Sequence, residues 1–76
     1  MNDIQQRLAT CFLNVFPALT PQEIRDASAA TVGAWDSVAH LTLLSAVAEE
    51  FGVELESEDF AELVSFALIA AYLEKR

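Results

Sequence analysis

Side-chain chemistry in this chain concentrates at Ser37, with Asp36 before it and His40 three residues after it. A serine and a histidine at that spacing on a helix are neighbours on one face, as in a base-activated nucleophile. Such a nucleophile also needs a group to orient the base and donors for an oxyanion, and no residue here can be assigned to either role. His40 falls on the mostly apolar side of its helix, which predicts a histidine packed against the core or the preceding loop. A second chemistry fits Ser37 better. Trp35-Asp36-Ser37-Val38 marks the turn from a loop into a helix, so the hydroxyl lies at the positive end of a helix dipole beside unpaired N–H groups. That position suits a phosphate, bound as an ion or attached through the serine oxygen. The plainer reading is that Asp36 or Ser37 caps the helix, and the tetrapeptide alone does not separate the two.

Two other candidates fall away. Cys11 lies in the middle of an apolar helical stripe and reads as a small core residue, with nothing beside it to favour a thiolate. The acidic run Glu54 to Glu62 lacks the glycine and ligand spacing of a calcium loop, so it reads as a charged face with no metal. The formal charge of the 76-residue chain is −8, from 12 acidic against 4 basic residues. A surface so negative repels phosphate backbones and anionic lipid, which argues against nucleic-acid or membrane partners and for proteins with basic patches. The single cysteine suits a reducing compartment. The start of the chain has neither the charge nor the apolar run of a secretory signal, and the apolar stretch Phe66–Leu73 is too short to span a bilayer. The expectation is a single soluble, cytoplasmic domain over residues 1–76.

The elements that must position Ser37 follow from periodicity. A first helix is expected from near Asp3 to the proline at 17, with Ile4, Leu8, Cys11, Phe12 and Val15 inward and Gln6, Thr10 and Asn14 outward. Thr20-Pro21-Gln22-Glu23 matches a capping box with proline at the first helical position, so a short helical turn follows, pinned by Ile24 and Ala27. The stretch Ser28–Ala34 has no periodicity, and Trp35 anchors its end against the core. The helix after Ser37 is expected to bury Leu41, Leu44, Val47, Ala48 and Phe51, flanked by His40 and Leu43. Its exposed side carries Val38, Thr42, Ser45 and Glu49, and Gly52 ends it. Ser57 is expected to cap a short helix that turns Phe60 and Leu63 inward. Ser65 caps a last helix with Phe66, Ile69 and Leu73 in the core, leaving Leu68 and Tyr72 as apolar residues on its other sides. The fold class is all-α, a four-helix bundle with a long first loop and a short third helix.

At this point the whole chain resembles an acyl carrier protein, of the superfamily of phosphopantetheine-binding carriers. Asp36-Ser37-Val38 fits the family's Asp-Ser-apolar attachment motif, at the start of the second long helix of a small acidic bundle that ends in Glu49-Glu50-Phe51-Gly52-Val53. The resemblance implies phosphopantetheine esterified to Ser37, donated by coenzyme A through a phosphopantetheinyl transferase and magnesium. Asp36 would help position metal and serine during loading. It also implies a monomeric carrier that catalyses nothing and holds acyl or aminoacyl thioesters at high effective concentration for docking enzymes. Those enzymes, with basic docking patches, would read Val38 and Thr42, with Glu49 and Glu50 adding attraction.

Trp35 and His40 resemble discrete carriers and synthase carrier domains outside housekeeping fatty-acid synthesis. Fatty-acid carriers place acids early in the second helix, where this chain has Ala39, His40, Thr42 and Ser45, which favours a specialised lipid or secondary-metabolite pathway, polyketide synthesis included. Phe60 stands where many fatty-acyl carriers have a small residue lining the acyl cleft. With Val47, Leu55, Leu63 and Ile69 it is expected to fill part of that cleft. The alternative to a carrier is an acidic helical interaction module with no prosthetic group, in which Ser37 is only a cap.

Overall fold

Local sequence signals start and stop each helix. In the computed structural model, which describes residues 2–75, α1 spans Asp3–Val15. Its cap is Asn2, whose side-chain oxygen accepts from the Gln5 N–H at 2.8 Å while the Gln5 side chain returns to the Asn2 N–H. Met1 and Arg76, part of the expected domain, lie outside the described residues. The box at Thr20 forms as its spacing predicts. Thr20 accepts from Glu23 N–H at 3.2 Å and donates its own N–H to the Glu23 carboxylate at 2.8 Å, starting α2 (Pro21–Arg25). Ile24 and Ala27 are buried beneath it.

The third helix, α3, covers Ser37–Phe51 and ends at Gly52, whose φ of 64° is the left-handed conformation that glycine adopts without steric cost. α4 (Ser57–Glu62) and α5 (Phe66–Glu74) complete the chain. The described residues thus form five helices, the fifth being the turn at Pro21 that the four-helix expectation left inside the loop. Ser57 is the first helical residue of α4 and not its cap. Glu56 takes that place, its N–H donating to the Asp59 carboxylate at 2.9 Å. Ser65 caps α5, accepting from the Leu68 N–H at 3.0 Å.

α1 packs against α2, α3 and α5, while α4 lies on α3. Leu8, Phe12, Leu43, Leu44 and Ile69 are completely buried at the centre, each worth about 1.5–3 kcal/mol of transfer free energy. Phe12 meets Trp35 edge-on at 5.5 Å and Phe66 at 5.3 Å, so the loop end is clamped to the aromatic centre as expected of Trp35.

The inward face of α3 differs from expectation. Leu43, Leu44 and Val47 are buried, whereas Leu41 is 56% exposed and joins Val38, 75% exposed, on the outer surface. Apolar residues surround most of this helix, so periodicity marks its face weakly and contact with α1 and α4 selects it. The aperiodic stretch after Ala27 is also held. An isolated bridge pairs Ser28 with Ser65, with Ala29 N–H donating to the Val64 carbonyl and Phe66 N–H to the Ala27 carbonyl. Among the described residues, no helix is long and apolar enough to cross a membrane.

Candidate functional site

Asp36 makes the turn into α3. Its backbone is extended and its Oδ1 accepts from the Ala39 N–H at 2.9 Å, satisfying one of the helix's orphan donors. Ser37 is therefore the first helical residue. It is exposed, and its Oγ has no hydrogen-bond partner among the described residues. The N–H groups of Ser37 and Val38 open the helix without intrahelical acceptors. A phosphodiester at this oxygen would carry negative charge where the helix dipole favours it, by about 0.3–1 kcal/mol. The residues present fit a phosphate-linked group.

The chain's other serines fit less well. Ser65 is spent on its cap and Ser28 Oγ is paired with the Thr31 hydroxyl at 3.0 Å. Ser45 lies inside α3, away from its free N–H groups. Ser57 is flanked by Glu56 and Glu58, whose charges oppose an incoming phosphate.

His40 is not the base of a serine nucleophile. Its Nδ1 accepts from Trp35 Nε1–H at 2.9 Å, which leaves the proton on Nε2, and Nε2–H donates to the Phe60 carbonyl at 2.6 Å. Both ring nitrogens are occupied, neither by Ser37. The imidazole instead ties three segments together: the end of the loop, α3 and α4. Its ring meets Phe60 edge-on at 6.3 Å. The packed-histidine reading of position 40 holds, and the bond to Phe60, twenty residues away, is the part that no local pattern signals.

A cleft of about 300 Å³ opens beside Ser37, walled by Ala29, Trp35, Asp36, His40, Phe60 and Val64. A second, of about 390 Å³, lies farther along α3 between Leu44, Ala48, Val53, Leu55 and Phe60. Phe60 lines both. Of the residues expected to fill an acyl cleft with it, Val47, Leu63 and Ile69 are buried in the core, while Leu55 and Phe60 are half-buried at the surface. Another cleft, of about 540 Å³ between α2 and the residues at 31–34, does not reach Ser37.

The expected partner-reading residues divide. Val38 and Thr42 share an exposed face, the Thr42 hydroxyl donating to the Val38 carbonyl at 2.9 Å. Glu49 is exposed. Glu50 is engaged within the chain. Its carboxylate accepts from Arg7 Nε at 2.9 Å and its carbonyl from the same guanidinium at 2.8 Å, while Arg7 stacks over Phe51 at 4.5 Å. Its charge is largely offset before any partner arrives. Cys11 is buried in the core, and burial first, then the Glu50 carboxylate, raises its thiol above the usual 9.0, against smaller lowering effects of Arg7 and its own backbone. It is an inert packing residue.

Ser37 thus presents an exposed, unpartnered hydroxyl at the head of the longest helix among the described residues, and the histidine three residues on is bonded elsewhere. The family model described as "Phosphopantetheine attachment site" matches residues 6–73, and the chain belongs to that family. Its members carry phosphopantetheine covalently on a serine and are carriers without catalytic activity of their own. No curated protein and no solved structure matches the chain.

Proposed function

We propose that Ser37 is the attachment serine and that the protein is a single-domain, monomeric acyl carrier of a specialised lipid or secondary-metabolite pathway. The observation that carries this reading is the free, exposed Oγ of Ser37 at the α3 N-terminus, inside the matched region. In loading, Ser37 Oγ loses its proton and bonds to the phosphorus next to the pantetheine of coenzyme A, as the bond from that phosphorus to 3′,5′-ADP breaks. Asp36 keeps one carboxylate oxygen on the Ala39 N–H, which holds the serine at the helix mouth, and its other oxygen is available to the transferase's magnesium. The bound arm supplies a terminal thiol that carries acyl groups as thioesters.

Docking falls to the outer face of α3. Val38 and Leu41 are three apart and both exposed, a small apolar patch beside the attachment oxygen. Glu49 extends it with negative charge toward the helix end, which suits enzymes with an apolar contact and basic rim. Leu41 takes the place that Glu50 held in the sequence reading.

Intact-protein mass spectrometry after incubation with coenzyme A and a broad-specificity phosphopantetheinyl transferase tests the assignment. The protein gains one phosphopantetheine and Ser37→Ala gains none. Failure of the wild type to gain mass refutes the carrier reading and leaves an acidic interaction module. A gain that survives Ser37→Ala refutes the choice of serine.

A further inference from the structure

Of the described residues 28–42, only Trp35 is buried. The turn that presents Ser37 therefore hangs from a single side chain, with the small exposed residues Gly33 and Ala34 before it. Phe12 and Phe16 pack on the indole at 5.5 and 5.7 Å, which fixes the ring in the core. From there the indole N–H reaches forward five residues to His40 Nδ1 at 2.9 Å, passing over Asp36 and Ser37 in the chain. Asp36 adds two shorter ties, its Oδ1 accepting from the Ala39 N–H and its carbonyl from the His40 N–H at 2.8 Å. The imidazole is held from α4 as well, where Nε2–H donates to the Phe60 carbonyl. Trp35, His40 and Phe60 form a clasp whose span includes the attachment serine without bonding to it.

We infer that Trp35 and His40 are positioning residues for loading: their hydrogen bond sets Asp36 and Ser37 in the geometry that the transferase docks, before the transferase arrives. This inference rests on attachment at Ser37. Loading asks two things of one turn, that Ser37 Oγ be aimed at the phosphorus and that the second Asp36 oxygen face the magnesium, and both depend on how the turn is held. A turn already ordered in the free carrier costs the transferase nothing to order on docking. Without the bond, only a fraction of free molecules presents the competent turn, and the apparent affinity falls by that fraction. Once docking has ordered the turn, the complex reacts as before. The signature is a raised KM for the carrier at unchanged kcat. One lost hydrogen bond sets the size of the effect at about two- to tenfold.

The test is steady-state loading by a broad-specificity phosphopantetheinyl transferase with coenzyme A, the carrier concentration being varied, on variants whose folding is checked by circular dichroism. Trp35→Phe removes the N–H donor and keeps a ring against Phe12 and Phe16. Trp35→Phe and His40→Ala each raise KM by about two- to tenfold and leave kcat unchanged. The double variant is no worse than His40→Ala, because both changes break the same bond. His40→Gln, whose amide oxygen accepts from the indole, returns KM toward wild type. In free Trp35→Phe, hydrogen exchange at the Ala39 and His40 N–H groups quickens relative to that at Leu44, a local change that a general loss of stability does not produce. Wild-type KM in Trp35→Phe overturns the inference. So does a loss of kcat at unchanged KM, or exchange that quickens equally at Ala39 and Leu44. If His40→Ala does not fold, Trp35→Phe and His40→Gln decide between the same outcomes. A wild type that gains no phosphopantetheine by mass, or a gain that survives Ser37→Ala, refutes the attachment reading itself, whereas a loaded protein indifferent to Trp35→Phe refutes the positioning alone.

Discussion

His40→Ala removes the acceptor of one hydrogen bond and the donor of another. The Trp35 indole N–H is the costly half: the residue is 5% exposed, so the group is largely withheld from bulk water. A buried donor left without an acceptor costs about 1–3 kcal/mol. The Phe60 carbonyl belongs to a half-buried residue and can be rehydrated, which adds only the net worth of a hydrogen bond, about 0.5–1.5 kcal/mol. The combined loss is about 2–4 kcal/mol, a large part of the roughly 5–10 kcal/mol expected for a chain this short. At about 4–8 °C per kcal/mol for a domain of this size, Tm falls by roughly 8–32 °C. Urea and thermal unfolding followed by circular dichroism measure it, and the indole N–H resonance of the only tryptophan reports the bond directly. His40→Gln, which can accept and donate through one amide, recovers part of the loss. Because neither bond involves Ser37, a folded His40→Ala protein is still loaded with phosphopantetheine. An unfolding free energy within about 0.5 kcal/mol of wild type, or an unmoved indole resonance, refutes the clasp.

The remaining predictions concern the cap, the ion pair and the thiol. Asp36→Ala costs about 1 kcal/mol as a lost N-cap, while Asp36→Asn keeps the cap and the stability. If Asp36 serves the transferase as well as the helix, Asp36→Asn is still loaded more slowly than wild type, by at least about tenfold in kcat/KM, equivalent to 1.4 kcal/mol. Arg7→Ala destabilises by about 1 kcal/mol in low salt, as a half-exposed ion pair and a ring contact are lost. The difference from wild type, read from urea midpoints, shrinks in about 1 M salt, where screening acts over about 3 Å. Cys11 is alkylated by iodoacetamide only as fast as the protein unfolds. The fold favours its neutral thiol, so its contribution to stability is complete below the ordinary value of 9.0 and is lost as pH rises through the raised one. Unfolding midpoints measured from pH 8 to 10.5 in wild type and Cys11→Ala check this, the gap between them narrowing with pH.

The amino-acid sequence by itself determined most of what depends on neighbours along the chain, the start of α4 at Glu56 and not Ser57 being the exception. The boxes at Thr20 and the cap at Ser65, the stop at Gly52, the inward stripe of α1 and the position of Ser37 at a helix mouth are all local, because a cap or a helical turn is closed by residues within four positions. The tertiary structure decided what depends on which distant segments meet. It buried Leu43 and left Leu41 on the surface, since a helix apolar on most sides takes its inward face from its neighbours. It paired Glu50 with Arg7, forty-three residues away, and so withdrew a charge that the sequence offers to partners. It also gave the residues at 27–29 their backbone partners at 64–66, and gave His40 the Phe60 carbonyl. A hydrogen bond across such a separation leaves no periodic trace in sequence, because its partners are chosen by packing and not by spacing.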